Sequence, residues 1–225
     1  MTAVVVVGEG RTEQTFVRDV LAPALAPRQI FLETQLIGTS KTSRGGALTP
    51  QRVLHHLRNV LRQRGNAYVK TFFDLYGLDA DFPGLREAAK IADPIARVQA
   101  IEGGFAKTVV AAAECPARRF VPHIQPYEFE ALLFSDLSRL AEIRPEWAQY
   151  VPILSDGCRG VETPEHINDG QDTHPSARLE NRLRPRYRKP LHGSALAARI
   201  GLDHIRARCV HFSAWLSRIE ALQPL

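Results

Sequence analysis

The sequence predicts an α/β fold in which helices flank a mostly parallel sheet of four strands. The chain opens with AVVVV, a continuous β-branched run that is typical of a parallel strand buried on both faces. Runs of helical periodicity then alternate with short apolar runs as far as about residue 150. Such alternation implies right-handed crossovers that place the strands side by side in parallel.

The predicted elements follow in order along the chain. After the first strand, RTEQTFVRDVLAPAL carries Phe16, Val17, Val20 and Leu21 at helical spacing. FLETQLIG alternates as a second strand, and the polar loop TSKTSRGGALTP leads into the helix QRVLHHLRNVLRQRG, which Gly65 ends. AYVKTFFD is the third strand and RRFVPHIQ the fourth.

Three further segments complete the prediction. DPIARVQAIEGGFAKTVVAAAE is helical but interrupted at Gly103-Gly104, and YEFEALLFSD begins another helix. A stretch rich in Gly, Pro, Asp and Arg then lacks any sustained period, which favours a long functional or partly disordered loop. The predicted organisation is an α/β domain over residues 1–150, a basic Gly/Pro-rich loop over 151–192, and a C-terminal helical segment over 193–225 that packs on the same domain.

Composition limits the functional classes. The 225-residue chain is 44% hydrophobic, and none of its apolar runs approaches the roughly 20 residues that span a bilayer. The N-terminus has no basic segment before its valines, so we expect no signal peptide. The three cysteines are far apart and form no CxxC pair, which favours a reducing cytoplasm over a disulfide framework or a structural zinc site.

Charge is unevenly distributed. The net charge is +5, and the excess is concentrated in SARLENRLRPRYRKPLHG, which contains six Arg and Lys residues and one acidic residue, Glu180. A solvated surface loop and a phosphate-binding segment are both consistent with this pattern.

Acidic residues follow the predicted strands. Glu9 follows the first strand, Asp74 ends the third, and Glu128 and Glu130 come just after the fourth. Ligands of open α/β sheets bind at the carboxyl ends of the strands, and carboxylates gathered there favour Mg²⁺ or Mn²⁺. Asp74 could instead cap a turn, and of the two later glutamates we expect only one to point inward.

Other familiar sites are not indicated. GEGRTEQT lacks the Gly-Lys-Ser/Thr of a phosphate loop, and there is no GxSxG motif. The His55-His56 pair has no HExxH pattern, and His123 within a strand favours a core histidine over a ligand. Trp215 shares a helical stripe with Phe212 and is expected to pack in the core.

The motifs VVVVGEGRTE and FFDLYG resemble the TOPRIM domain of topoisomerases, primases and overcoming-lysogenization-defect nucleases. The ordered set VGEGRTE, YVKTFFDLYGLDADFPG, FVPHIQPYEFEALLFSD, YRKPLHG and CVHFSAWLSRIEAL is similar, nearly end to end, to a TOPRIM-like domain-of-unknown-function family of bacterial defence-associated proteins. Members are often encoded beside an AAA or SMC-like ATPase. The resemblance implies a TOPRIM-like, Rossmann-like sheet with a C-terminal helical extension.

The resemblance also implies site residues. Glu9 matches the TOPRIM glutamate, Glu13 the acidic residue one helical turn later, Asp74 the first aspartate of the DxD motif, and Lys189 a phosphate-steadying lysine. Glu128 or Glu130 stands near the later acidic ligand. The second DxD aspartate is replaced by Tyr76, which removes one metal ligand unless Asp79, Asp81 or Glu130 substitutes, so the number of metal ions stays open.

The function that these features favour is a Mg²⁺- or Mn²⁺-dependent nuclease acting on DNA or RNA, as the effector of an anti-phage defence system with an ATPase partner. The residues expected to bind phosphate are Arg184, Arg186, Arg188, Lys189 and His192. The alternative is a non-catalytic subunit that binds nucleic acid and docks the ATPase through its C-terminal helix. A small-molecule phosphatase is a weaker third option, and the sequence leaves the oligomeric state open.

Overall fold

The computed structural model describes residues 1–37, 48–167, 170 and 172–225. Most of the predicted polar loop TSKTSRGGALTP lies outside these residues. Between the first and last described residues, the elements alternate as strand and helix and then become entirely helical.

The described strands are β1 (Thr2–Gly8), β2 (Ile30–Leu36), β3 (Ala67–Asp74), β4 (Phe120–Val121) and β5 (Ile124–Gln125). Their order is β2-β1-β3-β4, every pairing is parallel, and β5 pairs with the end of β3. The predicted fourth strand is thus present as two short pieces. The break falls at Pro122, which has no N–H to donate to the strand ladder. The predicted α/β class and parallel sheet are confirmed.

The helices are α1 (Arg11–Phe16), α2 (Ala22–Leu25), α3 (Pro50–Gln63), α4 (Leu85–Ala88), α5 (Pro94–Ala113), α6 (Leu140–Ile143), α7 (Val151–Asp156), α8 (Pro175–Arg182), α9 (Lys189–Ile200), α10 (Leu202–Arg208) and α11 (Val210–Glu220). A π-helical turn, Val17–Leu21, joins α1 to α2. The predicted helix after β5 is a 3₁₀ helix, Phe129–Ser135.

The sheet separates two hydrophobic cores. Val4 and Val6 of β1 belong to the core that contains α1 and the C-terminal helices α9 to α11. Val5 and Val7 belong to the core that contains α3 and α5. Because successive side chains of a strand point to opposite faces, a run of valines suits a strand covered on both sides.

Two local predictions were wrong. Helix α5 runs through Gly103-Gly104 without interruption. Gly104 is small for a packing reason, since a Cβ there would lie 3.0 Å from the Gly84 Cα. The 151–192 segment is also more regular than a loop, because it contains α7, α8 and the first residues of α9.

The C-terminal helices pack on the sheet as part of the same core. Phe212, Trp215, Leu216 and Ile219 of α11 are at most 3% exposed. The apolar stripe of α11 is therefore core rather than a docking surface. No helix in the described ranges has the length and apolar character needed to cross a membrane.

Candidate functional site

Five charged residues form what we call the acidic cluster, at the carboxyl ends of β1 and β3. They are Glu9, Glu13, Asp74, Glu130 and Lys189. Glu9 follows β1, Glu13 lies in the first turn of α1, and Asp74 is the last residue of β3. Glu130 lies in the 3₁₀ helix after β5, and Lys189 begins α9. The parallel sheet brings the first three together, and two later helices supply the others.

Lys189 lies among three carboxylates. Its Nζ is 2.7 Å from Asp74 Oδ2, 3.1 Å from Glu130 Oε2 and 3.4 Å from Glu13 Oε1. A cation in the first turn of a helix opposes the helix dipole, so the carboxylates rather than α9 account for this position. The ammonium is the positive charge that allows the acidic side chains to be buried together.

The carboxylates of the cluster are also fixed by neutral donors. The backbone N–H of Phe129 donates to Asp74 Oδ1 at 2.8 Å, which leaves Oδ2 for Lys189. The buried Tyr187 hydroxyl donates to Glu130 Oε1 at 3.1 Å. Each of these two carboxylates thus has one oxygen held by the fold and the other turned to the lysine.

Burial perturbs the acid–base behaviour of the cluster. It raises the pKa of Glu9 to about 8, with the charges of Asp74 and Glu13 contributing. Burial likewise raises the pKa of Asp74 to about 7 and that of Glu130 to about 8, although Lys189 opposes both shifts. Burial alone would lower the pKa of Lys189, but its carboxylate neighbours together hold it well above the usual value. The cluster therefore favours an additional positive charge.

Two glycines allow these residues to approach. A Cβ on Gly77 would overlap the Glu9 carboxylate, so the Glu9 side chain can keep this position only beside a glycine. On α9, a Cβ on Gly193 would come within 2.9 Å of Thr12 Cγ2 and 3.0 Å of the Tyr187 hydroxyl. Gly193 therefore lets α9 lie close against α1, which places Lys189 near Glu13.

Glu128 and Glu130 are both buried, contrary to the expectation that only one would point inward. Glu130 belongs to the acidic cluster. Glu128 is close enough for its charge to contribute to the raised pKa of Asp74, but its Oε1 contacts the start of α8. That oxygen accepts from the Ser176 N–H at 2.6 Å and lies 2.8 Å from His174 Nδ1. Glu128 thus has a second role in fixing the segment that precedes α8.

Of Asp79, Asp81 and Glu130, the three carboxylates considered as replacements for one at position 76, only Glu130 contacts Lys189 in the acidic cluster. The ring of Tyr76 lies near Tyr127, and its side chain is largely exposed. Asp79 accepts from the N–H of Asp81, and Asp81 forms an ion pair with Arg86 at the surface. Both aspartates thus act as turn residues.

The structure separates the predicted phosphate-binding residues into two groups. Arg184, Arg186 and Arg188 are exposed, and Arg186 forms an ion pair with Glu180 at 2.5 Å. His192 is only 6% exposed, packs edge-on against Trp147, and accepts from the Arg188 N–H through Nδ1. His192 is therefore placed to support the start of α9.

Sequence reasoning missed several residues of these sites. Tyr187 and His174 contact the predicted glutamates, but no local spacing pattern indicates them. His123 is fully buried as expected, yet its Nδ1 has no hydrogen-bond partner in the described ranges, and its ring lies against His211.

The acidic cluster offers the oxygen ligands that a hard divalent cation prefers. Glu9 Oε2, Glu13 Oε1 and Glu130 Oε2 are buried and accept no hydrogen bond from any described residue. The ammonium of Lys189 lies near two of them, but outside hydrogen-bonding geometry. Buried acceptors without donors are costly, and carboxylate oxygens are the ligands that Mg²⁺ and Mn²⁺ prefer.

Comparison with known proteins adds a family but no activity. No curated protein and no solved structure matches the chain. A family model described as a domain of unknown function, DUF4276, matches residues 8–220, which include both the acidic cluster and the C-terminal helices. The chain therefore belongs to the DUF4276 family.

Proposed function

We propose that this protein is a divalent-metal-dependent nuclease that hydrolyses phosphodiester bonds of DNA or RNA. The observation that carries the proposal is the acidic cluster itself, in which Lys189 lies within 3.4 Å of three carboxylates at the carboxyl ends of parallel strands. Mg²⁺ or Mn²⁺, held by Glu9, Asp74 and Glu130, would supply Lewis-acid activation of water and of the phosphate.

The protein's own residues have separable roles in this proposal. The Phe129 N–H and the Tyr187 hydroxyl fix the orientations of Asp74 and Glu130. A carboxylate of the cluster, with Glu13 as the candidate, accepts the proton of the attacking water. The new bond joins the water oxygen to phosphorus, the P–O ester bond breaks, and the leaving oxygen takes a proton from solvent water to become a hydroxyl.

Lys189 is the residue proposed to neutralise the phosphate. An acidic site repels an anionic substrate, so it needs cationic groups as well as a metal ion. Lys189 is 27% exposed at its side chain, so a bound phosphate could reach it once another cation compensates the carboxylates. Arg184 and Arg188, exposed in the chain just before it, would contact the nucleic-acid backbone.

The biological setting is part of the same proposal. We propose that the protein acts in a reducing cytoplasm, consistent with three free cysteines, as the effector of an antiviral defence system with an AAA or SMC-like ATPase partner.

The test is a cleavage assay on plasmid, single-stranded DNA and RNA with Mn²⁺, Mg²⁺ or EDTA, with and without such an ATPase. We expect metal-dependent cleavage that falls at least about a hundredfold in Glu9→Gln and Asp74→Asn, because each removes a charged ligand. Glu114→Gln is the matched control, since that side chain is 81% exposed. Cleavage that survives in both site variants would contradict the assignment.

The same experiment separates the non-catalytic alternative. Nucleic-acid binding that weakens with salt and is lost when Arg184, Arg186 and Arg188 are replaced by Gln, without cleavage under any condition, would favour a binding subunit.

A further inference from the structure

A second group of ionisable side chains lies at the edge of the sheet, away from the residues proposed for the nuclease. We call Glu102, His123 and His211 the edge cluster. Glu102 lies on α5 and His211 on α11, which pack in the two different cores. His123 lies at the break between β4 and β5, which together form one edge of the described sheet. The two helices thus meet around the edge of the sheet at His123.

The backbone at His123 is firmly placed. Its N–H donates to Thr71 Oγ1 at 3.0 Å, and its carbonyl accepts from that hydroxyl at 3.2 Å and from the Phe73 N–H at 3.2 Å. The break in the edge strand is therefore a defined structure that aims the imidazole at the helices.

The three side chains converge on one point. His211 Nε2 is 2.9 Å from Glu102 Oε1, and His123 Nδ1 is 3.8 Å from the same oxygen. One ligand atom of each residue lies within 4.8 Å of the others. His123 is fully buried, and His211 is 5% exposed.

The hydrogen-bond network determines which nitrogen of His123 carries the proton. Glu165 accepts from the backbone N–H groups of His211 and Phe212 at 2.8 and 3.0 Å, and also from the Gln125 amide at 3.4 Å. With its NH₂ turned to Glu165, Gln125 presents its oxygen to His123 Nε2 at 3.1 Å. Nε2 is then the protonated nitrogen, because it faces an acceptor.

This tautomer leaves an unfavourable contact. The lone pair of His123 Nδ1 is buried, lacks a partner in the part of the chain that the structure describes, and has the Glu102 carboxylate nearby. Glu102 Oε1 accepts the Ile124 N–H at 2.7 Å and lies 2.9 Å from His211 Nε2, but neither donor reaches the His123 lone pair, so a cation among the three side chains would satisfy it. The Glu165–Gln125–His123 chain also resembles the outer hydrogen bonds that orient metal-binding histidines.

We propose that Glu102, His123 and His211 bind one divalent transition-metal ion of the Zn²⁺ class. Two imidazole nitrogens with one carboxylate oxygen suit such an ion better than Mg²⁺, which prefers oxygen ligands alone. Ligand atoms about 2.1 Å from a tetrahedral metal lie roughly 3.4 Å apart, and the observed separations of 2.9 and 3.8 Å bracket that value. The ion would join α5 to α11 across the edge of the sheet.

The site has room for an exchangeable ligand. A cavity of about 470 Å³ is lined by Glu102, His211, Trp215 and Arg218, among others. Three protein ligands beside an open cavity leave the fourth position of the ion for water or a small anion, and Arg218 gives the cavity wall a positive charge.

The test uses the full chain, stripped with EDTA and titrated with Zn²⁺ by calorimetry and with Co²⁺ by visible absorption. We expect one strong equivalent, bound at least about tenfold more weakly in Glu102→Gln and His123→Gln. Glu102→Gln is conservative, because its amide oxygen can still accept the Ile124 N–H that Glu102 now accepts at 2.7 Å. His204→Gln, at an exposed histidine, is the matched control and should bind as the wild type does.

A double variant, Glu9→Gln with Asp74→Asn, separates this site from the acidic cluster, and it should retain the strong Zn²⁺ equivalent. Loss of that equivalent in the double variant, or its retention in both edge-cluster variants, would overturn the proposal. If the edge-cluster variants do not fold, X-ray absorption of the Zn²⁺-loaded wild type decides. Imidazole scattering is the expected result, and a shell of oxygen alone would overturn the assignment.

Discussion

Replacing Lys189 with Met tests whether its ammonium compensates the acidic cluster. Methionine keeps most of the side-chain volume and removes the charge that lies 2.7 to 3.4 Å from three carboxylates. Removing one partner of a buried ion pair typically costs about 3–5 kcal/mol. Because 27% of the side chain is exposed, we expect the lower end, about 3 kcal/mol near pH 9, or about a hundredfold in the folding equilibrium.

The decrease in the free energy of unfolding caused by Lys189→Met should depend on pH. The carboxyl groups of Glu9, Asp74 and Glu130 have folded pKa values raised to between about 7 and 8, so the folded protein retains protons that the unfolded chain has released. The stability that these raised pKa values add to the folded state is complete below about pH 4 and is lost as the pH rises through 8. Near pH 5 these three carboxyl groups are mostly neutral in the folded protein, and the ammonium has less negative charge to compensate. We therefore expect a penalty of less than about 1 kcal/mol there.

The measurement is urea unfolding followed by the fluorescence of Trp147 and Trp215, both of which are buried. Lys90→Met, at an exposed lysine, is the control for loss of one positive charge. Millimolar Mn²⁺ should raise the midpoint of the Lys189→Met variant more than that of the wild type, since the carboxylates then lack any other cation. Equal stability of variant and wild type near pH 9 would refute the reasoning.

Three other substitutions follow from the structure. Gly77→Ala should lower the free energy of unfolding by about 1–3 kcal/mol and abolish metal-dependent cleavage, because the added Cβ displaces the Glu9 carboxylate. Gly65→Ala, where a Cβ would meet open space, is the control and should leave cleavage unchanged in the same assay. Gly103→Ala should raise the free energy of unfolding by about 0.5–1 kcal/mol, since the position is helical and unobstructed; a loss of stability in urea would show that the helix needs this glycine. Burial lowers the pKa of Lys70 to about 7, so the free-energy cost of burying its charged form is complete below pH 7 and fades as the pH rises toward 10. Lys70→Met should therefore raise the free energy of unfolding by up to about 3 kcal/mol near pH 6 and by little near pH 10. Urea midpoints at the two pH values would show the difference.

Much of the fold was predictable because its signals are local. A run of valines suits a strand between two cores, and each valine of β1 is indeed buried or nearly so. The missed features depend on contacts between distant segments. Gly103-Gly104 suggests a helix break by propensity, but close packing against Gly84 explains the small residue and the helix continues. Helix α8 has a single buried leucine, Leu179, to indicate its apolar face, which is too little for a periodic pattern.

The candidate site likewise contains some residues that local sequence signals predict and others that depend on contacts between distant segments. Glu9 and Asp74 were predictable as carboxylates at strand ends, where the topology of a parallel sheet brings side chains together. The charge pattern indicated Lys189 as part of a basic segment, but no spacing rule joined it to Asp74, its partner 115 residues away. Glu102 and His211 are 109 residues apart and lie on helices of opposite faces, so no spacing rule could join them to His123.

The position of Lys189 connects binding of a cation with binding of a substrate. Its ammonium is held by Glu13, Asp74 and Glu130, and two of these, Asp74 and Glu130, are also proposed to hold Mg²⁺ or Mn²⁺. As long as those carboxylates have no other cation, Lys189 is engaged by them, and moving it toward a phosphate would leave buried negative charge uncompensated. Under the proposed function, a metal ion that neutralised those carboxylates would release the lysine to pair with the substrate. The arrangement would then favour joint binding of metal ion and nucleic acid over binding of either alone, as the proposed nuclease requires.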